Sequence, residues 1–364
     1  MRLGAFGDIV HTLPLAADLV AAGHTVGWLC EDRWACVLDG SAAVERIHRL
    51  PRDAFKGRSL APGERLLVLR RLMREVRAAA YDTVIDAQGL AKSALLVALT
   101  SVVRRVGHAQ PRARELSWIV SRRRSPTSAV HVIDQQRALG LRLCGEHHPR
   151  GGWRFPLPAW TTERTWASYW LFKAGLQQPW MLNVGAGWPT KVWPKRRQIE
   201  FAQALKVRRK PLLLLWGNHN EHDLAEEIIS ESGHGVLAPP TSIPQLAGVI
   251  AQGSILISGD TGPLHLGLAL GIPAIGLFGP VPAERNGPRG RGYRTFQAPG
   301  AAWERKDVSR VDMGAITAVS VIDAALQVIA EHPTAVTSLS WALRCNRICG
   351  LRRPGCHVCC CWAA

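Results

Sequence analysis

The residues of this chain best suited to chemistry stand just after short apolar runs. Ile255, Leu256 and Ile257 lead into Asp260-Thr261-Gly262-Pro263, and His265 follows. An aliphatic, β-branched run fills a buried parallel strand, and such a strand delivers its loop to one edge of the sheet. Asp260 or Thr261 is placed to cap the next helix, Pro263 suits its first turn, and Gly262 allows close approach. A helix start of this kind offers free backbone N–H groups and partial positive charge, which together attract phosphate. His265 falls one turn beyond Thr261 on the same face, within reach of that ligand. The plain alternative is one strand-to-helix turn of a doubly wound sheet, with no ligand.

Four other turns repeat the pattern. In Gly7-Asp8-Ile9-Val10-His11-Thr12, Asp8 is either an N-cap or a carboxylate facing a cleft, where it can take a proton from a hydroxyl. Asp86-Ala87-Gln88-Gly89-Leu90 precedes Lys92, which reaches an anionic ligand or stays in solvent. In the stretch NVGAGWPTKVWP from Asn183 to Pro194, Gly185 and Gly187 permit a sharp turn, and Thr190-Lys191 bring a cation to the sheet edge of Asp260. Glu221, after Trp216-Gly217-Asn218, accepts hydrogen bonds from a ribose or complements its helix dipole. Thr241-Ser242-Ile243-Pro244 opens a further helix. No Asp-x-Asp pair is present for a divalent cation, so no metal is expected: Lys191, His265 and the helix start supply positive charge themselves.

The elements that position these residues alternate strand and helix, the mark of an α/β chain with parallel, doubly wound sheets. Helices are expected over 9–22, 32–38, 63–79 and 131–143, with strands over 25–30, 44–50 and 83–86. A second half carries strands over 180–184, 211–216, 235–238, 254–258 and 273–278, and a closing helix over 316–330. The pattern implies two Rossmann-like domains facing a cleft: 1–157, then a connector at 158–178, then 179–333, with a Cys-rich tail at 334–364. A parallel sheet wants a strand of about five residues before its first turn. Only Met1-Arg2-Leu3 precedes Gly4. Either the true start lies upstream of Met1 or the first sheet lacks much of a central strand.

Length and composition fit two cores: 364 residues, 47% hydrophobic and 20% charged. A net charge of +17 at pH 7 calls for an anionic partner. Arg104, Arg105, Arg112, Arg114, Arg122, Arg123 and Arg124 form either a solvated basic loop or a patch facing an anionic ligand or membrane. Nucleic acid is not expected, because no helix-turn-helix, zinc-finger or RNP-like pattern accompanies the charge. The N-terminus has no apolar signal region, and prolines break the uncharged run 261–283, so a cytoplasmic chain without a membrane span is expected. Cys30, Cys36 and Cys144 suit a reduced compartment. Six further cysteines and His357 crowd the tail; Cys356 and Cys359 have knuckle spacing, but the remainder fits no zinc geometry.

Taken in order, Gly7-Asp8 with His11-Thr12, Asp86 to Ser93, Asn183 to Pro194, and Asp260-Thr261-Gly262 with His265 and Asn286-Gly287-Pro288 resemble glycosyltransferase family 9, the ADP-heptose:lipopolysaccharide heptosyltransferases. The resemblance implies a GT-B fold and an inverting transfer with Asp8 as general base. It assigns Thr190, Lys191, Glu221, Asp260, Thr261, Gly262 and His265 to the donor, ADP-L-glycero-D-manno-heptose, and Lys92, Arg114 and His131 to the acceptor. By family the acceptor is inner-core lipopolysaccharide, Kdo or heptose on lipid A, a phosphorylated glycolipid at the anionic cytoplasmic face of the inner membrane. No cofactor is implied. Gln135 stands where the resemblance leads one to expect a basic residue. Two rivals stay open: a nucleotide-sugar epimerase of the same fold, and a non-catalytic nucleotide-sugar-binding protein.

Overall fold

A computed structural model describes residues 1–52, 61–110, 115, 117–145, 152–301 and 311–332. The Cys-rich tail, Arg112 and Arg114 lie outside the described residues.

In chain order the elements are α1 (Phe6–Ala21), β1 (Gly27–Glu31), β2 (Arg46–Leu50), α2 (Pro62–Ala78), β3 (Thr83–Asp86), α3 (Ala91–Leu99), β4 (Arg104–His108), β5 (Arg123–Ser125), α4 (Val132–Arg137) and α5 (Leu141–Cys144). They continue with α6 (Thr161–Lys173), β6 (Trp180–Asn183), α7 (Lys195–Val207), β7 (Leu212–Leu215), α8 (His219–Ser232), β8 (Val236–Leu237), α9 (Ile243–Ile250), β9 (Ile255–Gly259), α10 (Gly262–Ala269), β10 (Ala274–Phe278), α11 (Ala283–Asn286), β11 (Tyr293–Gln297) and α12 (Ala318–Glu331).

The second half is one six-stranded parallel sheet in the order β11-β10-β9-β6-β7-β8. Its inner strands are largely apolar runs buried on both faces, such as Leu212–Leu215 and Ile255–Ile257, which is what helices on both sides require. One apolar cluster joins the sheet to α7, α8 and α12, and another joins the opposite face to α6, α9 and α10. The order reverses between β6 and β9, where a doubly wound sheet opens a ligand crevice.

The first half holds two parallel sheets, β1-β2 and β3-β4-β5. Met1–Leu3 lies between them. The Arg2 N–H donates to the Leu29 carbonyl and the Glu31 N–H to the Leu3 carbonyl, while the Met1 amine donates to Ile85 and Ala87 N–H to Met1. Three residues thus link two half-sheets, where a parallel sheet ordinarily holds a strand of about five.

Three sequence expectations change. The span 104–125 is not one basic loop, because β4 and β5 run through it with Arg104, Arg105, Arg123 and Arg124 on strands. The helix expected over 131–143 is two short ones, parted at Gly140. The segment at 158–178 contains α6, which packs on α9 inside the second domain's core. Among the described residues, no helix is long and apolar enough to cross a membrane.

Candidate active site

The site grows from the carboxyl ends of β6, β7, β9 and β10, which the register brings level: Asn183 pairs with Leu215 and Ser258, and Gly259 with Leu277. Every loop leaving this edge carries a residue singled out above.

Asp260 follows β9 and is buried. Its Oδ2 accepts from Lys191 Nζ at 2.5 Å, and its Oδ1 faces His265 Nε2 at 3.3 Å and accepts a hydrogen bond from Asn286 Nδ2. Burial alone would raise this carboxyl's pKa; His265 and Lys191 outweigh it and hold the group well below the usual carboxylate range. Asp260 is therefore the fixed anion around which the cations assemble. Lys191 Nζ also faces the Asp260 carbonyl at 3.3 Å, so two of its three N–H groups point inward and the third is left for a ligand. Thr190 is half-buried beside it, its carbonyl close to Gly279.

Thr261 stands at the N-cap of α10 without using its hydroxyl to cap the helix, and neither does Asp260. The Thr261 Oγ1 exchanges a hydrogen bond with Ser258 Oγ at 3.0 Å and lies 3.4 Å from Asn183 Nδ2. The first-turn N–H of Gly262 thus has no side-chain cap, and Pro263 has none to satisfy. An anion site results. Glu221 sits in the first turn of α8, which Asn218 caps. Its carboxylate accepts from Gly217 N–H at 2.7 Å and lies directly over Gly185, leaving no room for a β-carbon there.

Across from this edge stands the start of α1. Asp8 is the third residue of that helix rather than its N-cap: its carboxylate accepts the Ala5 N–H at 3.2 Å and pairs with Arg2 at 2.5 Å, with 41% of the side chain exposed. The two domains meet at the starts of α1 and α10. Phe6 rests against Gly262, a β-carbon on Gly7 would come within 2.8 Å of His265, and the His11 and His265 rings lie 4.1 Å apart edge to face. His11 Nε2 and His265 Nδ1 are buried in this seam with no hydrogen-bond partner among the described residues. Burial, then the neighbouring His265 and His131, pushes His11 well below the ordinary histidine range.

The acceptor-side assignments fare unevenly. Lys92, in the first turn of α3, pairs with Glu31 at 3.3 Å near the ends of β1 and β3. His131 is not presented to a ligand: Nδ1 accepts the Ile133 N–H that caps α4, and Nε2 donates across the seam to the Gly287 carbonyl at 3.0 Å. Its burial lowers the pKa to about 4, so it stays neutral as a structural link. Gln135 donates to the carbonyls of Ala129 and Val130. Sequence reasoning gave no role to Arg2 or Asn286. Both lie in motifs that were read, but their partners sit in other turns. Among the described residues, His219, His222 and Asp223 on α8 bring their ligand atoms within 4.8 Å of one another, with two of the three residues solvent-exposed.

Residues 69–313 match the sequence profile of glycosyltransferase family 9 (heptosyltransferase). The chain belongs to that family. It is 29% identical over 301 residues to lipopolysaccharide heptosyltransferase 1 of Pseudomonas aeruginosa, covering 80% of this chain and 81% of that one. To the Escherichia coli K12 protein of the same name it is 28% identical over 309 residues, 82% of this chain and 92% of that one. The structure of E. coli heptosyltransferase WaaC with ADP superposes with a TM-score of 0.74 at 24% identity, over 90% of this chain and 98% of that one. A family 9 glycosyltransferase from Veillonella parvula gives 0.75 at 18%, over 90% and 95%. The two domains and their seam are thus the GT-B architecture, and this family 9 member is a glycosyltransferase.

Proposed function

We propose that this heptosyltransferase of the lipopolysaccharide core moves a heptose from ADP-L-glycero-D-manno-heptose to Kdo or heptose on lipid A, with inversion and with Asp8 as general base. The carrying observation is the packing of the α1 start on the α10 start, which sets the Asp8 turn against the anion site formed by Gly262 and Lys191. The acceptor oxygen attacks the anomeric carbon from the α1 side as its proton passes to Asp8. The bond from that carbon to the diphosphate breaks, and ADP leaves with the electron pair. Lys191 and the α10 N-terminus take up the charge that develops, and Glu221 accepts from the ribose hydroxyls.

Relatives support the donor: E. coli WaaC is known with ADP and with ADP-2-deoxy-2-fluoro heptose, the latter at 25% identity and a TM-score of 0.70. Arginines on β4 and β5 and the net charge of +17 favour an anionic glycolipid at the cytoplasmic face of the inner membrane. On this reading the transfer needs no metal, because fixed cations and amides stand where the leaving group's charge appears.

The test is transfer from ADP-heptose to Kdo-lipid A, followed by mass spectrometry with and without EDTA, for wild type and Asp8→Asn. Wild type gains one heptose in either buffer. Asp8→Asn binds ADP as wild type does but transfers about 100- to 10,000-fold more slowly. Equal rates for the two proteins would remove Asp8 from the mechanism, and loss of activity in EDTA would point to a metal, with His219, His222 and Asp223 the first ligands to replace. Free epimerised sugar nucleotide made without acceptor would support the epimerase instead.

A further inference from the structure

Helix α8 carries a group of side chains that the transfer described above does not use. His219, His222, Asp223 and Glu226 recur at helical spacing and share one face of its first turns. The opposite face, with Ala225 and Ile228, is the one buried in the core. Asp223 Oδ1 faces both rings, 3.5 Å from His222 Nδ1 and 3.8 Å from His219 Nδ1. Glu226 Oε2 lies 3.7 Å from His222 Nδ1.

These separations are too long for hydrogen bonds. A histidine paired directly with a carboxylate in this protein stands closer, as His48 Nδ1 does to Glu75 Oε1 at 2.6 Å. Nδ1 of His222 is buried and has no hydrogen-bond partner among the described residues, although two carboxylates face it. An ion such as zinc, with bonds of about 2.0 to 2.2 Å, sets its ligand atoms roughly 3.3 to 3.6 Å apart at a tetrahedral angle. His222 and Asp223 already stand at that spacing. His219 must swing inward, which its side chain, 89% exposed, is free to do. The ring of His222 is held in place: it packs edge to face on Trp216 at 4.7 Å, and Trp216 donates its indole N–H to the Ala238 carbonyl at 2.7 Å. A ligand locked by packing on a rigid element is what a metal site requires.

We propose that His219, His222 and Asp223, with Glu226 beside them, bind one divalent transition-metal ion of the zinc, nickel or cobalt class. Two imidazoles and a carboxylate select such an ion over magnesium or calcium, which take oxygen ligands. Asp223 and Glu226 balance its charge, and water completes the shell on the solvent side. Ligands on successive turns staple the start of α8, which also holds Glu221 against Gly217 and over Gly185. The ion is structural, and its binding does not depend on which sugar is transferred.

The test is zinc binding by the full chain, stripped of metal, followed by calorimetry for wild type, His219→Asn and Asp223→Asn. Both replaced side chains are exposed, so the fold is kept. Cysteines elsewhere take up zinc equally in all three proteins, so the site is read as a difference. Wild type binds one more equivalent than either variant, because losing a ligand weakens the site at least about tenfold, the cost of losing even a supporting contact. Zinc at tenfold excess over its Kd raises the wild-type thermal midpoint by about 2 °C or more beyond the rise in the variants. Magnesium does neither. Equal zinc uptake by the three proteins overturns the site, as does an equal shift of their midpoints or magnesium binding as tight as that of zinc.

Discussion

At Asp8 a single carboxylate is held by its own helix and by a residue ahead of it. The Ala5 N–H and the Arg2 guanidinium both meet the same oxygen, Asp8 Oδ2, while a second Arg2 nitrogen donates to the Ala87 carbonyl at 2.6 Å. Arg2 thus ties Asp8, the base proposed above, to the end of β3 and fixes the direction of its carboxylate. Removing the guanidinium frees the carboxylate to swing, and misplacement by about 1 Å costs on the order of 100-fold in rate. Arg2→Met is therefore expected to lower kcat about 10- to 100-fold with little change in KM for the donor, and Arg2→Lys to recover part of the loss. A rise in KM with kcat intact would assign Arg2 to substrate binding. The turns that carry Asp8 and Lys191 were legible because each is a local signal, glycines beside a strand end and a helix start. The partners of Asp8 and Asp260 were not. Asn286 reaches Asp260 from 26 residues away, and no spacing rule reports that encounter.

Among elements, the aliphatic strands of the second domain were readable because burial on both faces leaves an unbroken apolar run. β4 and β5 escaped notice for the opposite reason: Arg104, Arg105, Arg123 and Arg124 supply no apolar pattern, and pairing of β4 with β3 and of β5 with β4 decides their conformation. Edge strand β11, with a half-exposed and polar pattern, was missed in the same way. Turns at the site are more constrained than strands. The loop after β6 passes so close to α8 that a β-carbon on Gly185 would overlap the Glu221 carboxyl group. That group ends a flexible side chain, so Gly185→Ala displaces it and leaves the sheet intact. The expected result is a thermal midpoint within a few degrees of wild type and a roughly tenfold weaker Kd for ADP by calorimetry, about 1.4 kcal/mol. Unchanged affinity would separate Glu221 from the nucleotide.

On the scale of the whole molecule, the two domains are joined through neutral histidines. His131 caps α4 with one nitrogen and bonds Gly287 of the other domain with the second, and His11 packs on His265 beside it. Burial is the first cause of the lowered pKa of both His131 and His11. An unfolded chain takes up a proton at each near the ordinary value of 6.5, whereas folded His131 refuses it until about pH 4. Its contribution to stability is thus complete above pH 6.5 and is lost progressively as pH falls from 6.5 toward 4, at about 1.4 kcal/mol per unit of depression. His11 acts in the same direction. The thermal midpoint should accordingly fall between pH 7 and pH 4.5. His131→Asn, which keeps an N-cap but cannot titrate, should show a shallower fall across that window. Parallel curves for the two proteins would place the acid sensitivity elsewhere and leave the seam indifferent to pH.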